Sequence, residues 1–515
     1  MSHSHITPAR KSSGPPLYYY APAVFYLVFS LTPLLMFGEN YAMVRIIDDA
    51  FYYIVIARNI VEVGESAFFS GELTNGYHPL WLLYLTAGGR LLGFSLVAMK
   101  GLEIFSIFIG LVVFIRFFRF KSLIEASFYS LTIIFLLLSF AMVAMESSLI
   151  FPTLAFFFAS MLSDEPFIKK HRAVLLFVSA ALVIGTRLDA AAFVLPILAV
   201  ARVNTRQKLG VFLALLVSGL IYLAINLWLF GQAFPVSSAI KSWGGLQWNT
   251  LYAGQIINAF REFSFASLNP NSAPFLFAGI SLVLVLILKK TNKAPVVAAI
   301  LLAALVGFIL FEAKLLYASS WGVWRWYAYS QLVFALPVIW LLVGKLNRRL
   351  GQLVMIPLSL LMFYPFSSSV LSDIRLGGYI GLTAKFLEIH EPLLAERTIA
   401  MGDRAGQAGY LYKGNVFQLE GIVSSPAYVE VLKKGGDLRP YLCARGIEVI
   451  VDYEIPLGDY SEIDLEIFDP NLTTAKAASL RVFASEEIAQ YADPQIWGVS
   501  GIQNSTIYAW QLSCP

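Results

Sequence analysis

The sequence predicts a polytopic α-helical membrane protein with about eleven transmembrane helices, followed by a smaller C-terminal α/β region. Three observations carry that expectation. The 515-residue chain is 58% hydrophobic and only 14% charged, with a mean hydropathy of +0.70. A soluble chain of that length could not cover so much apolar surface. Apolar runs long enough to span a bilayer recur up to about residue 370, and after about 371 the composition becomes that of a soluble region. The formal net charge of +4 gives no reason to expect a nucleic-acid partner.

In chain order, the polar stretch Met1 to Pro16 lacks a small-residue cleavage site before a short apolar core, so the first span reads as a retained anchor. Spans fall at about 17–38, 101–118, 123–143, 146–162, 208–230, 273–288, 294–312, 327–343 and 350–370, taking roughly 20 residues per crossing. Residues 173–201 are apolar but are interrupted by Thr186-Arg187-Leu188-Asp189. They fit either one kinked helix or two short helices meeting at a polar tip. Basic residues decide between these. With the hairpin, the short loops on one side hold 17 Lys and Arg, in clusters such as Arg116, Arg119 and Lys121, or Lys345, Arg348 and Arg349. The longer loops opposite hold 8. By the positive-inside rule the N-terminus is then cytoplasmic and the C-terminal region extracytoplasmic.

Residues 79–95 are apolar enough to pass for another span, but a crossing there would invert every later loop. They read as a helix in the outer interface with Trp81 and Tyr84 as anchors. The first outer loop thus runs from about 39 to 99. The chain divides at 371, with the C-terminal region covering 372–515. There, residues 397–401 and 448–451 read as buried strands, 426–434 and 438–445 as helices, and 480–484 and 506–511 as later strands. Cys443 and Cys514 are the only cysteines; one disulfide and two unpaired thiols both fit. No zinc-type spacing, P-loop, GxGxxG or internal repeat occurs.

The first outer loop concentrates the chemistry. Asp48-Asp49 precedes a helical stretch, Ala50 to Val61, carrying Tyr52, Tyr53 and Arg58. A carboxylate at the membrane surface can serve as general base for an incoming hydroxyl or help hold a divalent cation. Either acid could equally cap the helix at Ala50. Glu146 lies at an outer turn, where an acid also suits a helix start. His78, before Pro79, could donate to a phosphate or be merely solvated. Arg325, in Trp324-Arg325-Trp326-Tyr327, fits an interfacial aromatic belt, yet its planar fork suits phosphate. Lys241 and Arg187 are further cations, with Arg187 and Asp189 able to neutralise each other. A sugar leaving a lipid phosphate needs a base on one side and fixed cations on the other.

In these motifs the chain resembles the GT-C superfamily of membrane glycosyltransferases that use polyprenyl-phosphate sugars, in the prokaryotic branch related to aminoarabinose, mannosyl and arabinofuranosyl transferases. The residues concerned are Asp48-Asp49-Ala50-Phe51-Tyr52-Tyr53, Ala57-Arg58-Asn59 and Thr74-Asn75-Gly76-Tyr77-His78-Pro79-Leu80-Trp81. The resemblance implies the GT-C fold, with Asp48 as catalytic base, Asp49 in support and Glu146 as the second acidic residue. It places His78 where aminoarabinose transferases carry a basic contact to lipid phosphate, and Arg325 near the carrier phosphate. Thr186 to Asp189 is similar to the superfamily's hairpin tip. Gly402-Asp403, Gly409-Tyr410 and Leu419-Glu420-Gly421 resemble its appended extracytoplasmic domain.

The implied activity is inverting transfer of a hexosyl or pentosyl group from a polyprenyl-phosphate carrier to a lipid, glycan or protein hydroxyl. It would take place at the outer face of a bacterial inner or plasma membrane. Arg58, His78, Arg187, Lys241 and Arg325 would bind the substrate. No cofactor is required by this reading, and a divalent cation is left open. A ligase or polymerase using a pyrophosphate carrier is the enzyme alternative. A transporter or flippase ranks behind, because the charges lie at the outer interface and not at mid-bilayer.

Overall fold

The computed structural model describes residues 15–344, apart from 119, 142–143, 243–244, 262–270, 293 and 320. It also describes 382–514, apart from 395, 403, 435–437, 453–462, 468–477, 483, 493–505 and 513. The expected span at 350–370 and the division at 371 lie outside the described residues.

The first part is helical throughout. α1 (Ala21–Arg45), α2 (Asp48–Glu62) and α3 (Pro79–Leu92) are followed by α4 (Leu96–Phe118), α5 (Leu123–Phe140) and α6 (Ser147–Leu162). Next come α7 (Pro166–Thr186), α8 (Ala191–Ala199), α9 (Thr205–Phe230) and α10 (Val236–Lys241). α11 (Thr250–Arg261), α12 (Ala273–Thr291), α13 (Pro295–Tyr317) and α14 (Ser330–Gly344) complete this part. Among the described residues, six stretches are long and apolar enough to cross a membrane: 17–45, 96–118, 205–230, 273–291, 295–317 and 325–343. Three shorter apolar helices lie at 123–137, 147–162 and 188–199. The polar interruption at Thr186–Asp189 is a real break, since α7 ends there and a short 3₁₀ turn leads into α8.

Helix association in lipid depends on close side-chain packing, because lipid tails are as apolar as the side chains they replace. α4 packs against α1 and α6, and α13 against α8 and α12. The α4–α6 contact is filled by fully buried aromatic rings, with Phe114 centred 4.4 Å from Phe118 and 6.4 Å from Phe151. α9 has the opposite character. Leu213, Leu216, Leu220 and Trp228 point outward, which suits a helix facing lipid.

The first outer loop differs from expectation at Trp81. This residue is fully buried, its ring tilted against Tyr84 at 5.6 Å. α3 packs on α2, α4 and α7, so the Trp81, Leu82 and Leu85 face is spent on protein contacts. Leu83, Leu91 and Leu92 are the residues left for an interface.

The C-terminal region contains α15 (Leu382–Leu394), β1 (Ile399–Met401), α16 (Ala405–Leu411), β2 (Val416–Gln418), α17 (Pro426–Lys434), α18 (Arg439–Cys443) and β3 (Val449–Asp452). β4 (Ile463–Ile467), β5 (Ala478–Val482), β6 (Ala484–Ala492) and β7 (Thr506–Leu512) follow. Five strands form one sheet in the order β2-β1-β3-β7-β6. β1 runs parallel to β2 and β3, while β7 is antiparallel to β3 and β6. The parallel strands are joined through helices, as parallel pairing demands, and β1 and β2 are buried along their whole length. β4 and β5 form a separate antiparallel pair. Cys443 and Cys514 are joined in a disulfide. This region rests on the first outer loop, where the buried Glu72 pairs with Arg445 and accepts from Tyr441 Oη at 3.1 Å.

Candidate active site

A cavity of about 420 Å³ lies where the first outer loop meets the tip between α7 and α8, the start of α10 and the end of α13. α2 contributes Asp49, Tyr52, Tyr53 and Ile56. Their spacing of three, four and seven residues puts all of them on one helix face. Asp48 and Asp49 occupy the first turn of α2, where carboxylates complement the macrodipole. The N-cap is Ile47, so neither acid is the N-cap of its own helix.

Behind this face lies a buried ionic network. Arg187, 1% exposed, grips Asp189 with two parallel bonds, Nε to Oδ1 at 3.0 Å and Nη2 to Oδ2 at 2.9 Å. Its Nη1 donates to Glu146 Oε1 at 2.7 Å and to the Trp326 carbonyl at 3.2 Å. The guanidinium also lies 4.4 Å from the centre of the Tyr327 ring and 4.9 Å from that of Tyr329. Tyr329 Oη donates to Asp189 Oδ1 at 3.1 Å, and Tyr53 Oη donates to Glu146 Oε2 at 3.5 Å. The Tyr53 oxygen in turn accepts from the His78 backbone N–H at 3.3 Å. A buried pair survives only with such complete hydrogen bonding, and removing one partner strands the other at a cost of about 3–5 kcal/mol.

The protonation states follow from this arrangement. Burial raises the Glu146 carboxyl above the ordinary carboxylate range, with Arg187 opposing it. Burial also acts upward on Asp189, but Arg187 and then Lys314 outweigh it and hold this carboxyl below its ordinary value. His78 is lowered to about 3 by burial and then by Arg187, so it is neutral at physiological pH. Burial opposes the charge on Lys241, yet Tyr327, Asp49 and Glu146 together raise it.

Two lysines complete the wall. Lys314, at the end of α13, has Nζ 3.9 Å from Asp189 Oδ2 and remains half exposed. Lys241 lies 5.8 Å from the centre of the Trp321 ring. Its helix is positioned by Asn75, which accepts from the Val236 N–H at 2.9 Å and donates to Asn226 at 3.0 Å. Among the described residues, no three His, Cys, Asp or Glu side chains converge to hold a metal ion.

The structure therefore gathers Asp49, His78, Glu146, Arg187 and Lys241 at one cavity. It leaves three expected site residues outside the lining. Asp48 turns to the C-terminal region, where Oδ1 accepts from the Gln407 N–H at 2.7 Å and Oδ2 from the Gly406 N–H at 3.1 Å. Arg58 donates to the Gly409 carbonyl at 3.2 Å and lies 5.6 Å from the centre of the Tyr410 ring. Arg325 is exposed at the start of a 3₁₀ turn whose next residues, Trp326 and Tyr327, face the cavity instead. Two charged lining residues, Lys314 and Asp189, are not among the expected site residues. Lys314 followed Glu312 at the end of an apolar span, a position where ionised groups are costly and informative. From the sequence, Asp189 suggests only a neutraliser of Arg187.

No protein-family model matches the chain, and no curated protein matches its sequence. Its structure is similar to the crystal structure of ArnT from Cupriavidus metallidurans bound to undecaprenyl phosphate. The two share 13% identity with a TM-score of 0.52, over 95% of this chain and 98% of that one. The likeness is one of fold: the chain adopts the fold of that structure over most of its length.

Proposed function

We propose that the protein is an inverting glycosyltransferase that moves a sugar from a polyprenyl-phosphate carrier to an acceptor hydroxyl. The observation that carries this reading is the meeting of Asp49 with Lys241, Lys314 and the Glu146–Arg187–Asp189 network in one cavity. The likeness to a structure holding undecaprenyl phosphate supports the choice of carrier.

Asp49 takes the proton from the acceptor hydroxyl. The acceptor oxygen bonds to the anomeric carbon as the bond from that carbon to the phosphate oxygen breaks, and the electron pair leaves with the phosphate. Lys241 and Lys314 face that departing charge, while neutral His78 can donate a hydrogen bond to it. The charges balance through the step. Lining acids Asp49, Glu146 and Asp189 match lining cations Arg187, Lys241 and Lys314. As the phosphate diester becomes a monoester it gains one negative charge, and Asp49 loses one on protonation. Lys241 and Lys314 are the cations placed to face the phosphate, since Arg187 is already paired with Glu146 and Asp189.

The test is purified protein in proteoliposomes, given radiolabelled undecaprenyl-phosphate hexoses and pentoses with a total glycolipid fraction as acceptor. One donor is expected to release free undecaprenyl phosphate with its label appearing on the acceptor. Label crossing the bilayer without release would identify a flippase, and release only from pyrophosphate carriers a ligase or polymerase.

A further inference from the structure

The seven-residue helix α16 is held end to end by α2. Its own N-cap residue, Arg404, makes no side-chain cap. The N–H groups of Gly406 and Gln407 are bonded instead by the Asp48 carboxylate, 358 and 359 residues away in the chain. Near the other end of α16, the Gly409 carbonyl accepts from Arg58. An acid at the N-terminus and a cation at the C-terminus both complement the helix dipole, although both come from another helix.

The contact is too close for side chains. A Cβ on Gly406 would lie 2.3 Å from the Asp48 carbonyl oxygen, and one on Gly409 would lie 2.5 Å from the Phe68 ring. Between these points Phe51 meets Tyr410 at 5.6 Å, and Tyr410 Oη donates to the Phe94 carbonyl at 2.9 Å. Asp48, Phe51 and Arg58 thus form one stripe of α2, beside the stripe that lines the cavity.

The docked region also reaches the cavity. Ile422 and Val423 line it, and they press on the loop that carries His78. A Cβ on Gly76 would lie 2.0 Å from the Ile422 carbonyl oxygen. We propose that the C-terminal region is a working part of the cavity, with Asp48 as the positioning residue that docks α16 and so sets the Ile422–Val423 wall against the loop that carries His78. This rests on the glycosyltransferase reading, and it assigns Asp48 a docking role in place of the proton transfer expected from the sequence.

Asp48→Asn, Asp48→Ala and Gly406→Ala in the full chain test it. Asparagine keeps one acceptor oxygen for the two N–H groups of α16, sets its amide NH2 against the other and cannot act as a base, so Asp48→Asn should lose no more than about tenfold in transfer, short of the 10²- to 10⁴-fold loss of a general base. Asp48→Ala and Gly406→Ala should each slow transfer by about tenfold or more. Because both break the same contact, the double variant should be no worse than Asp48→Ala alone. Hydrogen exchange at residues 405–411 and 74–78 should quicken in both variants and less in Asp48→Asn. An inactive Asp48→Asn, additive losses, or faster exchange with unchanged transfer would each overturn the proposal. If the wild type transfers no sugar from any donor, the glycosyltransferase reading fails, while the exchange measurement still reports whether Asp48 docks the region.

Discussion

Asp48 and Asp49 are neighbours in sequence but point about 100° apart on their helix, and they meet different worlds. The Asp49 face of α2 looks into a cavity of side chains, with two tyrosines, a buried arginine network and two lysines. The Asp48 face looks onto backbone, its oxygens taken by two N–H groups of a distant helix. A carboxylate bound to fixed N–H groups is stabilised as an anion and is a poor proton acceptor. The Asp49 carboxylate instead faces open cavity space, where an acceptor hydroxyl can reach it. The residue type is the same on both faces, and the partners decide the role.

Several measurements can break or sharpen that contrast. The largest effect belongs to the cavity side. Arg187→Gln strands Glu146 and Asp189 without a buried cation, and should cost about 3–5 kcal/mol of stability. A thermal shift in detergent measures this, and a loss below about 1 kcal/mol would mean the network is solvated. Next, Lys241→Met and Lys314→Met should each slow transfer about 10- to 100-fold, with the fold retained, if they neutralise the leaving phosphate. Unchanged turnover would move the phosphate elsewhere in the cavity.

On the docking side the effects should be smaller. Arg58→Gln removes one hydrogen bond and a ring contact near the end of α16, and transfer should fall only a few-fold; a loss as large as that of the lysine variants would return Arg58 to the substrate.

His78 sharpens the picture through pH. Its folded value of about 3 lies below the ordinary 6.5, so between those values the unfolded chain binds the extra proton. Stability therefore falls as pH drops through 6.5 and the loss is complete near 3. His78→Gln should flatten that part of the acid unfolding curve. The smallest expected effect is none: dialysis against EDTA should leave the transfer rate unchanged, and recovery by added Mg²⁺ after a loss would require a metal in the mechanism.

Much of the fold was legible because bilayer crossing leaves a mark in composition. The apolar runs, the basic clusters and the break at Thr186–Asp189 all follow from local chemistry. The strands at 399–401 and 449–452 and the helix at 426–434 were legible as short buried runs and an amphipathic repeat. Five of the eight expected site residues meet at the cavity, but the order within Asp48-Asp49 could not be read. It depends on α16, more than 350 residues along the chain, and no local pattern encodes that contact. Trp81 was misjudged for a related reason, since an aromatic ring before an apolar helix looks the same whether lipid or protein covers it. The Asp49, Tyr52, Tyr53, Ile56 spacing was the overlooked local signal, because it marks a helix face distinct from that of Asp48.

The central claim is that Asp49, and not Asp48, takes the acceptor proton. The most direct measurement compares release of undecaprenyl phosphate from the active donor by Asp49→Asn and Asp48→Asn in the same proteoliposomes. Loss of general-base catalysis should slow Asp49→Asn by about 10²- to 10⁴-fold, while Asp48→Asn, which keeps one of the two acceptor oxygens for the α16 N–H groups, stays within about tenfold of the wild type. The reverse order, an active Asp49→Asn beside an inactive Asp48→Asn, would contradict the account.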